Sequence, residues 1–334
     1  MKNGMIVFDS VVHMTDHRAE FRVHDDGKIL TQRLRRMHAR SPKKAVPIND
    51  SFTDGPPDIA WANEVLWDKS DTDFAMAQTI PLFALWRDGV SPARTNHELA
   101  QSNPDRFLFC GGVDPLYQGL RGALDEMTRQ VEEMGAVSIK FYQAQRPGHA
   151  WRADDRKLAY PLYEKAMELG IKLVQFHKGF PLAHAQIEDL HPGDLQLAAY
   201  DFPDLKFGVH HLGGVHFDDM IDVAERFPNV YSILSPLFNT YFQQPRRVYE
   251  MFGKALYYIG DKRLCYGTDA FVHPNVQLYI DVLSTIQIPE DLQEGYGYPE
   301  LTDEGRARIL GLNFAEALGV ELSVEGDKRT WRRA

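Results

Sequence analysis

The stretch Met5-Ile6-Val7-Phe8-Asp9-Ser10-Val11-Val12-His13 starts with four apolar residues and turns polar without a glycine. Its first half, 5–8, reads as a buried strand, and its second half carries side chains able to do chemistry. A doubly wound nucleotide-binding sheet places a glycine-rich phosphate loop at this point, so its lack here counts against that architecture. Working outward, similar short β-rich runs recur at 74–80, 106–113, 136–142, 172–177, 205–210, 230–234 and 264–267. Helical patterns at 120–134, 157–169, 217–226, 245–259 and 275–286, with another ending near Tyr200, separate the later runs. Alternating strand and helix signals mean parallel βα units. Eight in succession fit a closed (β/α)8 TIM barrel of the α/β class better than an open sheet. A long insertion after the first strand, about 16–70, and helices near the C-terminus distort the expected barrel.

The chain has 334 residues, 44% hydrophobic and 25% charged, which is enough for a large core and leaves little room for disorder. One domain spanning 1–334 is therefore expected. A formal charge of −10 does not favour nucleic acid or an anionic membrane as partner. The start of the chain acquires charge too early for a signal peptide, and no apolar run is long enough to span a bilayer. These features make a cytoplasmic location the expectation. Cys110 and Cys265 lie far apart in apolar runs, so buried free thiols are expected rather than a zinc knuckle. The insertion combines Trp61 and Trp67 with Arg33, Arg35, Arg36, Arg40, Lys43 and Lys44. It reads as a lid or oligomer contact over the active face, with the basic run as a solvated helix face. From Leu301 the sequence reads as a helix through Leu318 followed by a polar tail.

Barrel enzymes take their catalytic groups from strand ends and the loops just after them. The first strand end offers Asp9 and His13, and residues 9, 11 and 13 share one face of an extended chain. The fifth ends in Gln175-Phe176-His177-Lys178-Gly179, the sixth in His210-His211-Leu212-Gly213-Gly214, and the eighth in Tyr266-Gly267-Thr268-Asp269. One such histidine is commonly a satisfied core residue, and one such aspartate a helix cap. Histidine or aspartate at four converging strand ends instead suggests a site for zinc or manganese, with iron as a further choice.

With these residues in view, the chain resembles the amidohydrolase-related enzymes, in particular the branch containing aminocarboxymuconate semialdehyde decarboxylase. The resemblance rests on Phe8-Asp9 with His13, Phe176-His177, His211-Leu212-Gly213-Gly214, Tyr266-Gly267-Thr268-Asp269 and the closing run Ile309-Leu310-Gly311-Leu312-Asn313-Phe314. It implies metal ligation by Asp9, His13, His177, His211 and Asp269. Asp269 would also be the catalytic base, and His211 would bind metal or polarise the substrate. His210, next to His211, is expected to face the barrel wall. The family's strand 1 pattern is Asp-x-His-x-His, and here Val11 replaces the first histidine. Lys140, Tyr142, Lys178, Trp61 and His273 are candidate pocket residues, with the two lysines suggesting an anionic substrate. The implied activity is hydrolysis or non-oxidative decarboxylation of a small, carboxylated compound. Two alternatives stay open. One is an oxygen-activating two-metal hydroxylase, to which His210 and His216 would add ligands. The other is a metal-binding partner subunit of a catalytic paralogue. A small molecule is the expected partner and a homo-oligomer the expected assembly, with no nucleotide cofactor.

Overall fold

The computed structural model describes residues 1–40, 42 and 55–334. Lys43 and Lys44 of the basic run lie outside the described residues. Eight parallel strands follow one another around a single sheet in chain order. They are β1 (Phe8–Val12), β2 (Phe74–Gln78), β3 (Phe107–Gly112), β4 (Ser138–Phe141), β5 (Leu173–Phe176), β6 (Lys206–His210), β7 (Val230–Ile233) and β8 (Leu264–Cys265). The loop after β8 closes the ring onto β1. Ser10 N–H donates to Tyr266 O at 3.2 Å, Asp269 N–H to Val11 O at 3.1 Å and His13 N–H to Ala270 O at 2.6 Å. The expected eight βα units and TIM barrel are therefore present.

The crossover from β1 to β2 holds α1 (Asp26–Ala39) and α2 (Ile59–Asn63). The remaining crossovers use α3 (Ala93–Ser102), α4 (Pro115–Glu132), α5 (Tyr160–Glu168), α6 (Leu195–Asp201), α7 (Phe217–Arg226) and α8 (Pro245–Tyr258), and α9 (Val276–Thr285) follows β8. Local sequence explains their starts. Asp114 caps α4 by accepting from Leu116 N–H, and Pro115 fills the first helical position, where a missing N–H costs nothing. In α7 the buried face is Met220, Ile221, Val223 and Ala224, and Asp218 and Asp219 sit in the positive first turn. Every residue of β1 and β2 is buried, because helices cover the outside and side chains fill the inside.

The barrel interior is layered. Phe8, Phe74 and Phe314 plug the floor, with Phe8 edge-on to Phe314 at 5.1 Å between ring centres. Met76, Leu108, Cys110, Leu173, Ile233 and Cys265 belong to the same apolar cluster. Both cysteines are free and buried, as expected.

Three boundaries depart from the sequence reading. β1 occupies Phe8–Val12 rather than 5–8, because its ladder partners on β2 begin at Phe74 and continue to Ala77. The closing helix is interrupted at Arg308–Leu312 by a wider turn between α11 (Asp303–Ala307) and α12 (Asn313–Leu318); α10 (Glu290–Tyr296) precedes both. That wider turn presents Ile309 O to Tyr266 N–H at 2.9 Å. Gly311 fits there because a Cβ would stand 2.8 Å from Ile6 O. The expected polar tail is an antiparallel hairpin, β9 (Val320–Glu325) and β10 (Lys328–Arg333). Leu322, Val324 and Trp331 pack from it onto the barrel-floor cluster.

Candidate metal centre at the barrel mouth

The site begins with an irregularity in β1. Asp9 pairs with Ala75 and Val12 with Ala77, so Ser10 and Val11 on β1 together oppose Met76 on β2. Such a bulge leaves a backbone N–H without a ladder partner. Asp9 supplies one, its Oδ1 accepting from Val11 N–H at 3.1 Å. The same oxygen accepts from Thr268 N–H at 2.9 Å, and Oδ2 accepts from the Thr268 hydroxyl at 2.5 Å. These three hydrogen bonds tie Asp9 to its own strand and to the β8 loop beside Asp269. Burial pushes the pKa of Asp9 up to about 6, against the opposing hydrogen bonds from Thr268 and Val11. Val11 packs into the interior cluster, close enough to Gly267 that a Cβ there would be 2.8 Å from its methyl.

Beyond the bulge, His13 reaches the mouth. Its Nδ1 lies 2.9 Å from Gln78 O, and its Nε2 lies 3.4 Å from Asp269 Oδ1. His177 and His211 form a second pair, with His177 Nδ1 3.0 Å from His211 Nε2. The far nitrogens of that pair meet backbone carbonyls, His177 Nε2 at Phe180 O (2.7 Å) and His211 Nδ1 at Ser235 O (2.7 Å). A carbonyl only accepts, so the ring nitrogen facing it carries the proton. Each of the three imidazoles therefore turns an unprotonated nitrogen inward. Two lone pairs oppose each other between His177 and His211, and a third faces the Asp269 carboxylate.

Electrostatics keep this donor set in ligand form. Burial holds His177 well below the ordinary histidine range and His211 down to about 4. Burial works against ionisation of Asp269, but the close contact with His13 and the nearby His211 and His273 outweigh it. Asp269 is consequently held well below the usual carboxylate range. His211 and Asp269 both have left-handed backbone, with φ of 65° and 63°. Such strain in non-glycine residues concentrates at functional sites. The turn at His211 also overrides strand alternation. His210 was expected at the barrel wall but lies inside, its ring 5.7 Å from that of His211.

His210 belongs to a polar layer beneath the mouth. Its Nε2 donates to Gln175 Oε1 at 2.8 Å, and Lys140 Nζ lies 2.8 Å from its Nδ1. Lys140 also donates to Gln78 Oε1 at 3.1 Å, and Gln78 Nε2 donates to Gln175 Oε1 at 3.0 Å. Burial without a contacting carboxylate among the described residues lowers Lys140 to about 7. Tyr142 stacks on His177 at 4.5 Å and 16°.

Other candidates are placed less centrally. Lys178 is fully buried and bound to both Asp194 oxygens at 2.8 and 2.9 Å, so it is a structural ion pair and not a free anion contact. Trp61 packs on Phe271, two residues beyond Asp269, at 5.1 Å. His273 is buried near Asp269 and lowered to about 4, mainly by burial. His216 joins a separate surface group instead of the mouth. A cleft of about 550 Å³ lined by Arg18, Arg87 and Tyr117 holds none of the proposed ligands.

Sequence reasoning missed Thr268, Gln78, Gln175 and a role for Arg33. Gln175 stands two residues before His177 and so shares its strand face, a usable signal. α1 lies over the mouth, where Arg33 donates to Pro181 O in the β5 loop. His184 approaches Asp26 at 3.0 Å, and His38 Nδ1 lies 3.4 Å from Val272 O in the β8 loop.

Ligand-form histidines and an ionised aspartate at the C-terminal mouth of an eight-stranded barrel suit a divalent cation. Such a mouth defines a class of barrel enzymes. The family described as amidohydrolase matches residues 91–320, and the chain belongs to that family. Comparison with curated proteins gives no match. Solved structures share the fold. A TIM-barrel protein of Bordetella bronchiseptica, Bb4693, is 18% identical, with a TM-score of 0.67 over 94% of this chain and 98% of its own. 5-Carboxyvanillate decarboxylase LigW of Sphingomonas paucimobilis is 14% identical, with a TM-score of 0.58 over 94% and 98%. An amidohydrolase of Burkholderia multivorans with bound zinc is 16% identical, with a TM-score of 0.58 over 94% and 99%. No helix among the described residues is long and apolar enough to cross a membrane.

Proposed function

We propose that this chain is a one-metal hydrolase or non-oxidative decarboxylase for a small carboxylated organic compound. The observation that carries the reading is the tautomer pattern. His13, His177 and His211 each commit one ring proton to a backbone carbonyl, which leaves His13 Nε2 facing Asp269 and His177 Nδ1 facing His211 Nε2. This is the usual support of a metal-binding imidazole. His13, His177, His211 and Asp269 would hold zinc or manganese, whose contribution is to acidify bound water and polarise a carboxylate or carbonyl.

The chain's own groups do the rest. Asp269, ionised at neutral pH, accepts a proton at its free oxygen and returns it to the reacting carbon or leaving group. His211 presents an acceptor at Nε2, so at rest it serves as ligand or base rather than as donor. Arg33, half-buried and without a carboxylate partner among the described residues, supplies positive charge beside the mouth for a carboxylated substrate. The decarboxylase among the structural neighbours favours the same substrate class.

Metal content of protein purified without chelator, followed by CO2 release from 5-carboxyvanillate and related aromatic acids, tests the reading. About one zinc or manganese should depend on the mouth residues and disappear in the His177→Ala/Asp269→Ala variant. Full retention by that variant would sink the assignment. Two iron ions per mouth would favour oxygen chemistry, and an empty mouth would favour the partner-subunit reading suggested by Val11.

A further inference from the structure

Among the described residues, one group of three possible metal donors lies outside the barrel mouth: His191, His216 and Asp219, with one ligand atom from each within 4.8 Å of the others. His191 stands in the loop between β5 and α6. His216 ends the glycine-rich turn after β6, and Asp219 lies in the first turn of α7. Asp219 Oδ2 is 3.2 Å from His191 Nε2 and 3.6 Å from His216 Nδ1. The two imidazole rings are 4.7 Å apart.

Both histidines are held from behind. His216 Nε2 lies 3.0 Å from Ile187 O, so its proton sits there and Nδ1 turns a lone pair toward the carboxylate. Two acceptors face each other at that contact, an arrangement that a cation resolves. The backbone of His191 is fixed by Lys178, whose buried ammonium donates to His191 O at 3.3 Å. His191 Nδ1 accepts from Gly193 N–H at 2.9 Å, which leaves the proton on Nε2 pointing at Asp219. A metal ion would replace that proton, and the cost is the single Gly193 hydrogen bond at an exposed turn. Asp219 is half-exposed and free to close on an ion, which would keep its remaining positions for water.

We propose that His191, His216 and Asp219 form a second metal site, selective for a borderline divalent cation such as zinc. Two imidazoles and a carboxylate match the ligand preference of zinc and its neighbours rather than of calcium or magnesium. The bound ion joins the β5 and β6 loops. Those loops already touch through Val215 N–H to Gly179 O at 3.1 Å, and they carry His177 and His211 at their bases. An ion here therefore stiffens the supports of the barrel mouth without entering it. The inference does not depend on the reaction performed there.

Equilibrium dialysis against zinc, paired with visible absorption on cobalt substitution, tests it on the full chain. The unmodified protein should bind one more zinc than the His191→Ala/His216→Ala variant. These positions are partly exposed, so that variant should keep its melting temperature in the absence of metal. The mouth variant His177→Ala/Asp269→Ala should still bind one zinc, and adding His191→Ala and His216→Ala should abolish it. Equal stoichiometry in the unmodified and His191→Ala/His216→Ala proteins would overturn the proposal. So would retention of that zinc after all four substitutions. Because the two pairs of residues are removed separately, failure of the surface site and failure of the mouth site give different results.

Discussion

Among the described residues, Asp9 is a carboxyl kept in place by three donors and no cationic side chain. Its pKa rises from an ordinary 3.8 to about 6, chiefly through burial. A raised carboxyl contributes stability that is complete below its unfolded value and is lost as pH rises through its folded value. The window is therefore about pH 4 to 6. Asp9→Asn preserves acceptors for the Val11 and Thr268 N–H groups and cannot ionise. Urea unfolding at pH 4 and pH 7 should show the native chain losing more stability than the variant, by on the order of 3 kcal/mol. Equal slopes would mean that Asp9 already titrates normally. The sequence marked Asp9 because its spacing from His13 matches a ligand pattern. It could not show the bulge, which depends on how β2 and the β8 loop meet β1.

At the level of elements, the β5 and β6 loops approach backbone to backbone. Gly179 has φ of 77°, and a Cβ there would lie 1.8 Å from Gly213 O. Gly170, at the end of α5, has the same φ of 77° but nothing within 4 Å. The pair separates backbone strain from collision. Gly170→Ala should cost about 1 kcal/mol, the usual penalty for alanine in a left-handed position. Gly179→Ala should cost about 3 kcal/mol or more and displace His177 and His211, lowering metal affinity as well. Thermal melts and metal titration of the two variants check both statements; similar losses would mean that the loops can separate freely. The glycines were visible in the sequence, beside the histidines, but the contact between residues 179 and 213 joins two different strand ends.

Across the whole molecule, the alternation of strands and helices was legible because each period is local. All eight strands were placed, with boundaries shifting where a distant partner decides them. The terminal hairpin was missed although Val320, Leu322 and Val324 alternate, since its polar faces disguised the pattern. The buried layer of Lys140, Gln78, Gln175 and His210 was also hidden, because it is assembled from four strands. That layer gives global stability a pH signature. Lys140 falls from an ordinary 10.5 to about 7, chiefly through burial. The unfolded chain holds the proton that the folded chain has released between those values, so stability should rise from pH 7 toward pH 10. The gain is on the order of a few kcal/mol. Lys140→Met should flatten that rise in denaturant titrations, and an unchanged rise would assign it to other groups.

The wide turn at Arg308–Leu312 carries a consequence for synthesis. Ile309 O receives Tyr266 N–H, Asn313 Nδ2 donates to Asp261 O at 2.6 Å and to Leu264 O at 2.8 Å, and Phe314 plugs the floor against Phe8. A nascent chain that has emerged only through α9 holds all eight strands and still lacks the piece that fastens the last to the first. Domains fold as units while the ribosome delivers them from the N-terminus. Phe8 must then wait for its edge-on partner Phe314, some three hundred positions behind it. The ribosome thus has an open barrel in its care until the segment from Ile309 to Phe314 has emerged.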